Sequence, residues 1–140
     1  MGTELRRAEL AGAWYPGDAE GVGRILESFE TEAHPCTAPR RLRAAIAPHA
    51  GWVFSGSIAY NALAALAAHA PTPDTVVLFA GHLSPRAPVT LLGEGACETP
   101  LGPMEVDREL VDKLLQRLPE ARRETPADHT QDNSAEVLFP

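Results

Sequence analysis

The sequence predicts an α/β fold organised around a parallel strand–helix–strand unit, and three observations predict it. Leu42–Ala47 is a short apolar run closed by Pro48, and Thr75–Ala80 is an unbroken one closed by Gly81. Continuous apolar character of the second kind suits a parallel strand covered on both faces. Between them, Ile58, Ala62, Leu63 and Leu66 recur at helical spacing in an alanine-rich stretch, which favours helix strongly. A length of 140 residues suits one domain with a sizeable core, so residues 1–140 are read as a single domain.

Taken in order, the first helix follows Asp18, whose carboxylate can cap it. Val22, Ile25, Leu26 and Phe29 then fall on one face. Pro35 and Pro39 make the next stretch, up to Arg41, a loop. The strand Leu42–Ala47 follows. A second helix is expected to start at Ser55 or Ser57, its candidate caps, and to stop before Pro71 and Pro73. The strand Thr75–Ala80 completes a unit whose crossover should be right-handed. Val89–Leu92 is a third, shorter strand. A third helix begins near Asp107, which can cap it while Val106 staples onto Val111. Leu110, Val111, Leu114, Leu115 and Leu118 supply its buried face, and Pro119 stops it. Arg122–Asn133 is polar and reads as loop. Ala135–Pro140 turns apolar again where the sequence stops, so the fold reads as truncated.

Hydrophobic content of 44% and charged content of 22% are ordinary for a globular protein. A formal net charge of −7 argues against a nucleic-acid partner, which would need a basic stripe. The one basic cluster, Arg40, Arg41 and Arg43, reads as a solvated edge. No apolar core of a signal peptide stands in Met1–Leu10. The apolar run Ile58–Ala68, about eleven residues, is too short to span a membrane. Cys36 and Cys97 form no disulfide framework. A cytoplasmic location with reduced thiols is therefore expected.

Two histidines share one placement. His49 follows the first strand in Ala47-Pro48-His49-Ala50-Gly51, and His82 follows the second in Ala80-Gly81-His82. Ligands of open parallel sheets bind beyond the carboxyl ends of strands. Neighbouring strands lie about 4.8 Å apart, so two imidazoles could converge on one ion with metal–nitrogen bonds of about 2 Å. Gly51 and Gly81 allow tight backbone paths there. Two ligands fall short of the three or four a transition metal normally takes. Asp128, His129, Asp132 and Glu136 form an acidic cluster near the C-terminus that could add a third ligand or a base. His34 and His69 suggest no chemistry, and neither cysteine has basic neighbours that would lower its pKa. No Walker loop, GxGxxG, CxxC or nucleophile elbow is present.

These residues carry a resemblance. Ala11-Gly12-Ala13-Trp14-Tyr15 is similar to the AGSWY signature of Memo-like proteins, also called AmmeMemoRadiSam system protein B. Ile46-Ala47-Pro48-His49-Ala50-Gly51-Trp52 resembles their IAPHAGY, the most specific of the matches. Gly56-Ser57 with Ala59-Tyr60, Gly81-His82, Thr99-Pro100-Leu101-Gly102 with Val106-Asp107, and Ser134 with Glu136 follow in the family's order. The resemblance covers nearly the whole chain. It implies a relative of the class III extradiol dioxygenases, a three-layer α/β/α fold with a mostly parallel central sheet, of which this chain is the N-terminal half. It implies that His49 and His82 occupy the family's metal positions, with iron or copper as the metal. It also implies a third ligand in a later segment, a cysteine in Memo proteins and a carboxylate in the dioxygenases. Asp132, Glu136 and His129 are then candidates for a partner to the histidines or a third ligand. Two departures stand out: the family's HSxE histidine is Asn133 here, and its GPSH reads Phe79-Ala80-Gly81-His82.

Three readings follow. The first is a Memo-like metal-binding protein with no defined reaction. The second is an extradiol dioxygenase-like oxidoreductase, disfavoured because Asn133 cannot titrate. The third is a metal-free protein-interaction module with a degenerate site. Under each, a protein partner or a second copy could complete the fold.

Overall fold

A computed structural model of the chain describes residues 4–34, 41–69, 72–128 and 132–140. It is a mixed α/β structure with helices and two small sheets. Helix α1 (Ala19–Glu32) begins where expected: Asp18 Oδ1 accepts the Gly21 N–H at 2.8 Å, satisfying one of the four free donors of a helix start. Val22 is fully buried, and Leu26 and Phe29 pack against the same core. Ile25, assigned to that face by spacing, sits at its exposed rim.

Helix α2 (Trp52–His69) starts earlier than its serines suggest. The Gly51 carbonyl accepts the N–H groups of Phe54 and Ser55 at 2.8 and 3.2 Å, so the first turn is built on Gly51. Ser55 instead reaches back, its hydroxyl accepting the Ala50 N–H at 3.1 Å. Trp52 is the centre of the core, with Leu10, Tyr15, Val22 and Val137 around it. Its ring lies 5.8 Å from both Tyr15 and Phe29, and its indole N–H donates to the Val137 carbonyl at 2.8 Å. Gly56 lets α1 and α2 close up: a Cβ there would lie 2.6 Å from Phe29 Cζ.

The first sheet joins β1 (Leu5–Arg6), β3 (Ala96–Cys97) and β4 (Met104–Glu105), with β1 parallel and β4 antiparallel to β3. The second pairs β2 (Thr90–Leu92) in parallel with β5 (Arg122–Glu124), Thr90 opposite Arg122. The third predicted strand is therefore present, one residue shorter. The polar tail expected to be loop contains β5, a single 3-10 turn (Pro126–Asp128) and a short helix, α4 (Asn133–Glu136). Helix α3 (Arg108–Arg117) is capped by Asp107, whose Oδ1 accepts the Leu110 N–H at 2.9 Å. Of its predicted buried face only Val111 is fully covered; the four leucines are half-buried.

The strand–helix–strand unit is not formed. Leu42–Ala47 and Thr75–Ala80 run without regular structure, and neither joins a ladder among the described residues. Their apolar side chains stand in solvent, Ile46 98% and Phe79 93% exposed. A parallel strand is stable only when neighbours satisfy its backbone and helices cover both faces. Neither condition is met here.

Candidate functional site

His49 and His82 meet even though the strands expected to carry them do not pair. Their ring centroids are 5.0 Å apart and the planes meet edge to face at 73°. What brings them together is the start of α4. Asp132 caps that helix, its Oδ1 accepting the Ser134 N–H at 2.8 Å and the Ser134 hydroxyl at 2.6 Å. Asp132, Asn133 and Ser134 together grip both histidine loops. The Ser134 Oγ accepts the Gly81 N–H at 2.6 Å, and Asp132 Oδ2 accepts the His82 N–H at 3.3 Å. Asp132 Oδ1 also lies 3.3 Å from His82 Nδ1. On the other side, Asn133 Nδ2 donates to the His49 carbonyl at 2.8 Å and lies 3.1 Å from His49 Nδ1. Gly81, at φ +128°, turns the chain through a conformation that a side chain resists.

The pair is open to solvent, with the His82 side chain 56% exposed. Partial burial pushes the Asp132 carboxyl up. The hydroxyl and N–H of Ser134, the His82 N–H and the His82 charge outweigh that and hold it below the ordinary aspartate range. Asp132 is thus an anion, already committed to fixing His82.

The other predicted residues are elsewhere or differently engaged. Glu136 is 1% exposed, and its Oε1 accepts the Leu10 N–H at 2.6 Å and the Tyr15 hydroxyl at 2.9 Å. It ties the Ala11–Tyr15 motif to α4 and makes neither bond to a histidine. Asp128 turns back on Thr125, accepting its N–H at 2.8 Å and its hydroxyl at 2.9 Å. His129 and Cys36 lie outside the described residues. Cys97 is buried in β3, and burial pushes its thiol up. His34 and His69 are engaged elsewhere, the His34 N–H with Asn61 Oδ1 on α2 and the His69 ring with the Ala65 carbonyl one turn back. Ser134 and Asn133 are the residues sequence reasoning missed as partners of the histidine loops. Their place beside Asp132 was the available signal, but nothing in it says which loop each one holds.

Among the described residues no group of three or more His, Cys, Asp or Glu side chains could hold a metal ion. The pair supplies two imidazole nitrogens, donors that suit iron, copper or zinc. The Asp132 carboxylate also lies 3.3 Å from His82 Nδ1, on the side from which a carboxylate orients a metal-binding histidine, although its hydrogen bond goes to the backbone N–H. The donor chemistry fits a metal as far as it goes and leaves at least one ligand to come from elsewhere.

Fold and geometry together define an α/β protein that presents a histidine pair clamped by one short helix. A family model described as Memo-like protein matches residues 6–140. The chain belongs to the Memo-like family. It is 34% identical over 142 residues to a MEMO1 family protein of Methanothermobacter thermautotrophicus, covering 97% of this chain and 51% of that protein. A MEMO1 family protein of Pyrococcus furiosus is 35% identical over 139 residues, covering 97% and 46%. One from Methanopyrus kandleri is 33% identical over 147 residues, covering 96% and 50%. The chain spans about half the length of the curated relatives it matches.

Proposed function

We propose that His49 and His82 supply two nitrogen ligands to an iron or copper ion, with Asp132 as the carboxylate that orients His82. The observation that carries this reading is the 5.0 Å approach of the two rings, reached from loops 33 residues apart in sequence and held on both sides by α4. Family membership supports it. The missing ligands would come from polypeptide equivalent to the further length of the relatives. That polypeptide would also pair Leu42–Ala47 and Thr75–Ala80 into the central parallel sheet of a three-layer, extradiol dioxygenase-like fold. Such an ion, when bound, supplies open coordination positions and Lewis acidity. The chain's own residues hold and orient it. The acid–base partner that ring-cleaving chemistry needs is not supplied by position 133, since Asn133 does not exchange protons. A metal-binding role without a defined reaction is therefore the best reading.

Elemental analysis of the protein purified at its native length, with His49→Ala and His82→Ala variants beside it, tests this. Iron or copper retained by the wild type and lost from each variant, with unchanged circular dichroism, is the expected result. A wild type that takes up neither metal, even when offered in excess, rejects it and leaves the metal-free interaction module, which the exposed apolar residues of 42–47 and 75–80 favour.

A further inference from the structure

The two rings are alike in position but not in what holds them. Asn133 Nδ2 faces the His49 carbonyl oxygen at 2.8 Å. A carbonyl only accepts, so the amide atom turned toward it must carry hydrogen, and this fixes the orientation of the side chain. The same nitrogen lies 3.1 Å from His49 Nδ1. It has a second hydrogen to give and no lone pair to offer, so Nδ1 must accept. A neutral imidazole whose Nδ1 accepts carries its proton on Nε2. At His82 the Asp132 carboxylate lies 3.3 Å from Nδ1 as a charge contact, and its hydrogen bond goes to the His82 backbone N–H, so among the described residues no comparable bond fixes that ring's tautomer.

We propose that Asn133 is a positioning residue that fixes neutral His49 as its Nε2–H tautomer. His49 then presents an Nε2–H donor to the shared space and not a lone pair. His49 can ligate through Nε2 only after its proton moves to Nδ1, which would set two donors against each other at Asn133. Position 133 thereby sets how readily the pair takes a metal. That consequence rests on the metal reading above; the tautomer does not.

Long-range proton–nitrogen correlation spectra of the full 15N-labelled chain, taken at about pH 8, where imidazoles are neutral, read the tautomer directly. Wild type should show His49 with a protonated Nε2 and an unprotonated Nδ1. Asn133→Asp puts an acceptor against Nδ1 and should reverse the two signals. Asn133→Ala removes the constraint and should give averaged signals. A wild-type His49 protonated on Nδ1, or variants with spectra identical to wild type, overturns the proposal. Titration with copper(II) then separates the two claims. Asn133→Asp should bind roughly tenfold or more tightly than wild type, the size of effect such outer partners have. If the tautomers follow prediction and neither protein takes copper, the metal reading falls and the role of Asn133 stands. If apo wild type already carries a free Nε2 lone pair and binds copper, the reverse is true.

Discussion

At the residue scale the most consequential side chain outside the histidine pair is Glu136, a buried carboxylate whose Oε1 is shared by a backbone N–H and the Tyr15 hydroxyl. Its Oε2 meets no hydrogen-bond partner among the described residues. Tyr15 must keep its proton to donate. Burial first, then the bond to Glu136 and the negative charge of that carboxylate, push its ionisation well above the ordinary tyrosine range. A folded-state pKa raised in this way adds stability that is complete below the unfolded value, about 10, and is lost as pH rises through the folded one. Urea unfolding measured against pH should therefore show stability falling above about pH 10. Tyr15→Phe should lower stability at neutral pH by about 1–3 kcal/mol, the effect of stripping a hydrogen bond from a buried charged acceptor. Its alkaline decline should be shallower than that of wild type. Equal slopes for the two proteins would mean that Tyr15 does not govern the alkaline limb.

At the scale of elements, the α1–α2 contact depends on Gly56. Alanine is the better helix former by about 1 kcal/mol, yet its Cβ would stand 2.6 Å from the Phe29 ring. Overpacking of this kind costs about 1–3 kcal/mol, so Gly56→Ala should lower the melting temperature, and adding Phe29→Leu should recover much of the loss. A melting temperature raised by Gly56→Ala alone would show that the ring yields freely. The helices were the legible part of this chain because their signals are local. Asp18 and Asp107 lie next to the donors they cap, and the apolar spacing of α1 is written within one segment. The strands were not, because pairing depends on residues far away. Thr75–Ala80 has the composition of a buried strand and, among the described residues, no neighbour to make it one, while Arg122–Glu124 has a polar composition and pairs with β2. The site lay between these cases. Position after an apolar run singled out His49 and His82, but the groups that hold them are 50 or more residues away, and no local pattern records that.

For the molecule as a whole, the dominant feature is apolar surface left in solvent. Val53 and Phe54 on α2, and Ile46, Val76 and Phe79 in the segments flanking it, are all largely exposed, and exposed apolar surface favours association. Among the described residues no helix is long and apolar enough to cross a membrane. The purified chain should bind a hydrophobic dye strongly and elute from gel filtration at a size that grows with concentration. Replacing Ile46, Phe54 and Phe79 together by serine should reduce both effects; a monomer that ignores the dye would show that this surface is covered by the chain itself. The clamp at α4 has a different consequence, one that concerns time. Loops at residues 49 and 81 and the motif at residues 10–15 all wait on Asp132, Asn133, Ser134 and Glu136. On the ribosome, α1 and α2 can coil as soon as they emerge, but the contacts from Asp132, Asn133 and Ser134 to the two histidine loops form only once that late segment clears the exit tunnel. A nascent chain arrested short of Asp132 would carry both histidines and no pair.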